Sequence, residues 1–370
     1  MPSTPLTSPA PTSRAGRSLF GSFSRFAVGC LFAGLPALGA QSLPERLSQT
    51  GLYADLATKQ VAPDLLAFTP QYPLWSDGAR KSRWISLPAG TSIDARDPDA
   101  WVFPVGTRLW KEFAYERRVE TRYIELTADG WVFATYRWLD DESEALLAPK
   151  FGQRAVYEVA GGVQYDLPAR TDCRACHEGN VSRVLGFSAL QLSGARDPGA
   201  PHAEPLRPGD VDLAMLVRQG WVKGLPAALV AFAPEIPARS ATERAALGYL
   251  HGNCANCHNT RGPLADLDFS LEVRLDAGVA AARPAALATG LERTARFQPA
   301  GSAPMARFAP GRPEASLVLQ RMARRDPISQ MPPLGTKVVD REALALVERW
   351  IRDGLLQPHR IQTASQGEKP

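Results

Sequence analysis

Ser240-Ala241-Thr242-Glu243-Arg244-Ala245-Ala246-Leu247-Gly248-Tyr249-Leu250-His251-Gly252-Asn253-Cys254-Ala255-Asn256-Cys257-His258 is the stretch that decides how this chain is read. Its first half is a helix signal. Ser240 and Glu243 have the spacing of a capping box, in which a hydroxyl and a carboxylate satisfy N–H groups that the first turn leaves free. The spacing predicts a helix from Ala241 into Cys254, with Leu247 and Tyr249 among its buried positions. The second half, Cys254 to His258, reads C-x-x-C-H. The same pattern recurs at Cys173-Arg174-Ala175-Cys176-His177.

C-x-x-C-H is the attachment pattern of a c-type haem. Two thiols three residues apart can each add to one vinyl group of the same porphyrin. The adjacent histidine then supplies the proximal imidazole to the iron. Cys173, Cys176, Cys254 and Cys257 are therefore the expected thioether positions, and His177 and His258 the expected proximal ligands. Axial ligands and surroundings would set each potential. The motifs use four of the five cysteines. Zinc is the main rival, since two C-x-x-C pairs can bind it tetrahedrally. Cys254 follows His177 by 77 positions and each pair is followed directly by histidine, which a zinc ribbon does not explain. A redox dithiol explains the pattern less well still.

The N-terminus agrees with this chemistry. Arg14, Arg17 and Arg25 precede the apolar run Phe26–Leu35, and small residues follow at Ala37, Gly39 and Ala40. This predicts a secretory signal over residues 1–40, cleaved near Ala40, and a periplasmic location. The run is too short and glycine-rich for a membrane span. Cys30 lies inside it, so only the four motif cysteines would remain. A lipoprotein anchored at Cys30 is the weaker alternative, because most of the apolar segment follows that residue. The first 40 residues hold three arginines and no acid, so their removal takes the net charge from +4 to +1. That excludes a case for nucleic-acid binding from charge.

Residues 41–165 hold six of the eight tryptophans. Val119, Thr121 and Tyr123 alternate with Glu120 and Arg122, and Asp129-Gly130 then makes a turn before Trp131–Trp138, a hairpin signal. A second hairpin is expected at Ala155–Leu167, turning at Gly161-Gly162. The short strands predict a β-rich domain of sandwich or barrel type. The tryptophans suit core and sheet packing. An aromatic face for a small molecule or polysaccharide, centred on Trp75-Ser76-Asp77-Gly78, is the sharper alternative. Residues 166–238 form the first haem-binding region, with a helix from Gly209-Asp210 to Arg218. Residues 239–357 form a second haem region, and 358–370 a flexible tail. Asp340 caps a last helix running through Asp353 and stopped by Gly354, with Leu344, Val347 and Ile351 at helical spacing. The fold class is thus α+β and multidomain.

Residues of about 240 to 355 resemble a class I cytochrome c domain. The likeness rests on the helix ending at Cys254–His258, the segment Gln330-Met331-Pro332-Pro333-Leu334-Gly335, and the last helix with Trp350. It implies that Met331 is the distal ligand of the second iron, and a thioether sulfur raises the potential relative to a second imidazole. The longer chain resembles bacterial exported dihaem c-type cytochromes with a β-rich N-terminal region. The matching stretches are Tyr72-Pro73-Leu74-Trp75-Ser76-Asp77-Gly78-Ala79, Phe103-Pro104-Val105-Gly106-Thr107 and Gly252–Asn259. The first iron has no evident second ligand. His202, Met215, Met305 and Met322 are candidates, while His251 and His359 are expected to face solvent.

Two covalently bound haems imply single-electron transfer between periplasmic redox proteins. The alternative is a dihaem oxidoreductase with one open iron, acting on peroxide, oxygen or an organic substrate. Dihaem cytochrome c peroxidases place their motifs further apart and lack a long β-rich region before the first, so peroxidase activity is not carried over. No Ser-His-Asp arrangement or phosphate-binding glycine loop stands out, and no catalytic residue is named.

Overall fold

The computed structural model describes residues 43–159, 161–275 and 284–356. The expected signal segment with Cys30, the expected C-terminal tail and His359 lie outside the described residues. The described residues from Leu43 on pack as one compact unit. It is of the α+β class, with a β-rich first half and a helical second half. Among the described residues no helix is long and apolar enough to cross a membrane.

The strands are β1 (Tyr53–Asp55), β2 (Gln60–Val61), β3 (Leu66–Ala67), β4 (Arg80–Ser86), β5 (Ile93–Asp94), β6 (Arg108–Ala114), β7 (Arg118–Thr127), β8 (Gly130–Trp138), β9 (Ala145–Leu147), β10 (Gln153–Val159), β11 (Val163–Leu167) and β12 (Val222–Lys223). Six of them form one sheet in the order β3-β4-β6-β7-β8-β9. Every neighbouring pair in it is antiparallel. The helices are α1 (Arg170–His177), α2 (Leu213–Arg218), α3 (Ala227–Ala231), α4 (Ala241–Cys254), α5 (Ala285–Gly290), α6 (Leu317–Met322) and α7 (Arg341–Arg349).

Both expected hairpins are present. In the first, Thr127 pairs with Gly130, so the turn falls on Ala128-Asp129, one residue earlier than Asp129-Gly130. The Thr127 hydroxyl fixes that register, accepting from Asp129 N–H at 3.2 Å and donating to the Gly130 carbonyl at 2.9 Å.

The sheet's two faces are covered by different parts of the chain rather than by a second large sheet. On one face, Trp110, Tyr123, Ala134, Tyr136 and Trp138 pack under Leu47, Leu52 and Tyr53 of the N-terminal segment. Trp110 and Trp138 are fully buried, which supports the packing reading of the tryptophans. On the other face, Ile85, Leu109, Ile124 and Phe133 meet Phe187, Leu192, Leu213 and Leu216. Each such side chain taken from water contributes about 1.5–3 kcal/mol. The same period-2 alternation serves both faces.

The helix containing Leu213 and Leu216 starts later than its sequence suggests. Asp212, not Asp210, caps α2 by accepting from Met215 N–H at 2.7 Å. Asp210 instead accepts from the Thr69 hydroxyl and from Arg207 N–H, and is thereby drawn out of the helix.

In the helical half, α4 and α7 share a core with Leu247, Leu250, Leu346, Val347, Trp350 and Ile351. Asp340 caps α7 through Ala343 N–H at 3.1 Å. The helix then widens into a π turn over Trp350–Gly354.

Candidate functional site

The first motif lies in α1, directly after β11. The Asp172 carboxylate accepts from Ala169 N–H at 2.9 Å and starts the helix. Cys173 and Cys176, three apart, share one face of it. The helix rests on β8, and the His177 ring lies 5.1 Å from that of Phe133. His177 Nδ1 is 2.7 Å from the Arg183 carbonyl. A carbonyl only accepts, so Nδ1 carries the proton and the Nε2 lone pair is left free. Burial pulls the imidazole down to about 4, against the opposing effect of that carbonyl, so the ring is neutral at pH 7. A neutral imidazole oriented through Nδ1 is what a metal-bound histidine requires.

The second motif ends α4. Ser240 Oγ accepts from Glu243 N–H at 3.1 Å, as expected. The Glu243 carboxylate, however, accepts from Arg239 Nε at 3.0 Å and from Trp350 Nε1 at 3.1 Å. One half of the capping box is therefore used to tie α4 to the end of α7. Beyond Cys254 the chain turns tightly, with His258 N–H donating to the Cys254 carbonyl at 2.9 Å. The His258 ring meets Phe269 at 5.2 Å, and Phe269, Phe308 and Trp350 continue edge to face. His258 Nδ1 is buried and makes no hydrogen bond. Burial pulls this imidazole, too, down to about 4, with Arg321 and Arg307 adding to it.

The segment Tyr72–Asp77 clamps this helix. A Cβ on Gly248 would stand 2.0 Å from the Tyr72 ring, and one on Gly252 would stand 2.4 Å from the Tyr72 carbonyl oxygen. Only glycine at both positions lets Tyr72 lie on α4. Asn253 accepts from Trp75 N–H at 2.7 Å and donates to the Pro73 carbonyl at 3.3 Å. Asp77 accepts from Lys337 and Val338 N–H at 2.9 Å each. The β-rich half thus holds both α4 and the segment that follows Met331. Trp75 stacks on His202 with centroids 4.6 Å apart.

The two motifs touch. Cys257 Sγ lies 3.9 Å from the Ala175 carbonyl oxygen, and Asn259 Nδ2 donates to the Gly179 carbonyl at 2.9 Å. All four thiols are free. Burial raises every one of them, Cys254 to about 12, so they stay protonated at neutral pH. Among the described residues no three His, Cys, Asp or Glu side chains converge as a metal site, and a tetrahedral zinc site needs four such donors.

One cavity of about 1060 Å³ is lined by all six motif residues and by Met331. That is at the upper limit of the roughly 300–1,000 Å³ that encloses an ordinary small ligand. Met331 follows α6, and its N–H donates to the Arg321 carbonyl at 3.0 Å. Of the other candidate ligands, only Met322 lines the cavity. His202 is held by Asp340 at 2.9 Å and Glu342 at 3.4 Å. Met215 packs beside the sheet-face core, and Met305 hydrogen-bonds through its backbone to Gln298.

His251 does not face solvent as expected but lines the cavity. Val273 N–H donates to its Nδ1 at 3.1 Å, so Nε2 carries the proton and that nitrogen has no lone pair for a metal. Its placement follows from its being three residues before Cys254 on α4, a signal present in the spacing.

No protein-family model, curated protein or solved structure matches the chain. The residues themselves fit a covalent haem at each motif. Each offers two neutral thiols three residues apart and a part-buried neutral imidazole, and at His177 the Nε2 lone pair is free by its hydrogen bonding. At His258 the buried Nδ1 has no hydrogen-bond partner among the described residues.

Proposed function

We propose that this chain is an exported, periplasmic c-type cytochrome that binds two haems covalently and passes single electrons between redox proteins. The observation that carries the reading is that the two C-x-x-C-H motifs, far apart in sequence, touch each other and open into one cavity. Iron in each bound group would supply the one-electron chemistry.

The chain's own residues have distinct parts in this reading. Cys173 and Cys176, and Cys254 and Cys257, form the thioether links. His177 and His258 would hold the two irons, His177 kept in its tautomer by the Arg183 carbonyl. Met331 would also hold the group on the His258 side, consistent with the resemblance of residues 240–355 to a class I cytochrome c domain. The Tyr72–Asp77 clamp keeps α4 and the Met331 segment in fixed relation.

A second reading is an oxidoreductase with one open iron. It is favoured by a specific observation: among the described residues His202, Met215 and Met305 do not line the cavity, and Met322 is the one candidate second ligand besides Met331 that does. Carbon monoxide distinguishes the two. Reduced protein whose spectrum ignores carbon monoxide supports the relay. A shift in half of the haem absorbance identifies an open iron and supports the oxidoreductase.

A further inference from the structure

The sheet face that carries α1 contains a row of cations. Arg83 pairs with Lys111, and Lys111 with Arg122, so the three stand side by side across β4, β6 and β7. Residues two apart on a strand share a face. The adjacent row is therefore Ile85, Leu109, Ile124 and Phe133, and Phe133 supports His177.

This row is short of anions. Arg122 is paired with Glu120 at 2.6 Å, and Glu120 also accepts from Tyr165. Arg83 is only 6% exposed, and among the described residues its guanidinium makes no hydrogen bond or ion pair. Glu204 and Asp210 act on it only at longer range. The Lys111 ammonium sits 4.9 Å from the Phe113 ring centroid and likewise has no ion pair among the described residues. All three cations line the cavity. With Lys111 protonated, three cations would face one carboxylate, an excess of two charges that burial and Arg83 both oppose. Burial, then Arg83, drives the Lys111 pKa far down. An unpartnered buried cation is strongly unfavourable, and a bound anion would relieve it.

We propose that Arg83, Lys111 and Arg122 form an anion site that takes carboxylate groups carried on an apolar body lying against Leu109 and Ile124, the two residues of the adjacent row that line the cavity. Guanidinium forks match carboxylates in two-point geometry, and the lysine adds a point charge. Resting on the haem reading, the carboxylates are the propionates of the group held by Cys173 and Cys176. A free dicarboxylate has the same chemistry, and the test separates the two sources.

The test uses the full exported protein and the double variant Arg83→Met/Lys111→Met, with Lys111→Gln as the milder change if the double variant fails to fold. Two quantities are measured: the midpoint potential of each haem, and succinate binding by calorimetry at fixed ionic strength. Removing cations beside a propionate favours the oxidised iron. One potential should fall by about tenfold in the redox equilibrium, about 59 mV for one electron, at unchanged haem content. If the potentials hold but wild-type protein binds succinate and the variant binds it at least tenfold more weakly, the site takes a free carboxylate. If the exported protein carries no haem, the haem reading fails and the succinate arm alone decides the anion site. Equal potentials together with equal or absent succinate binding would overturn the proposal.

Discussion

Gly179 and Asn256 are in contact across 77 positions of sequence, so closely that a Cβ on Gly179 would stand 2.2 Å from the Asn256 carbonyl oxygen. Gly179 follows the first motif by two residues, and Asn256 lies inside the second. The contact brings one C-x-x-C-H up against the other and places both on one cavity.

Gly179→Ala should therefore separate the motifs. The obstacle is backbone rather than a flexible side chain, so the strain cannot be relieved by a rotamer change. A loss of about 3 kcal/mol is expected, the upper part of the overpacking range. Denaturant unfolding measures it. An unchanged midpoint would mean that the contact is not tight in solution.

The Tyr72 clamp makes a second prediction. Asn253→Ala leaves the Trp75 N–H and the Pro73 carbonyl without their partner in a buried setting. Stability should fall by about 1–3 kcal/mol. Gly248→Ala, which drives a methyl into the Tyr72 ring, should be at least as damaging. Both are read by thermal or urea unfolding, and wild-type stability in both variants would contradict the clamp.

Glu243 gives a pH-dependent prediction. Burial alone would raise its carboxyl, but the Arg239 and Trp350 hydrogen bonds outweigh this and hold it below the ordinary glutamate value. A folded pKa below the unfolded one gives stability that is present above about pH 4.3, the unfolded value, and is lost as pH falls through the folded pKa. Glu243→Gln should cost about 3–5 kcal/mol at pH 7, because the buried Arg239–Glu243 ion pair is broken. The gap from wild type should narrow in acid. A gap independent of pH would assign the loss to packing.

Much of this architecture was legible locally. Ser240 marks the start of α4 and Asp340 that of α7, because a cap is satisfied within one turn. The hairpins followed from alternation and turn residues. What was not legible is long-range. Glu243 fits a capping box, yet Trp350 and Arg239 compete for its carboxylate. Asp210 looks like a cap until Thr69 takes it. Glu120 and Arg122 alternate with Val119, Thr121 and Tyr123 as an exposed face would, whereas the structure turns that face toward a cavity. His251, expected to face solvent, likewise lines the cavity. No spacing rule reveals that the two motifs meet, since this depends on a glycine and an asparagine that are each unremarkable in their own segment.

Met331→Ala tests the second ligand. On the proposed reading it should open the His258-side iron to carbon monoxide and lower its potential, since a thioether ligand raises it. An unchanged spectrum and potential would remove Met331 from the site, and Met322, the other methionine on the cavity, would then be the residue to replace.

The central claim is two covalent haems on one chain. The most direct measurement is the intact mass of the exported protein, paired with the haem content from its pyridine haemochrome spectrum. Wild-type protein should carry two haems per chain, and Cys254→Ala/Cys257→Ala one. A wild-type mass equal to the bare polypeptide, or a haem content that the double substitution leaves unchanged, would contradict it.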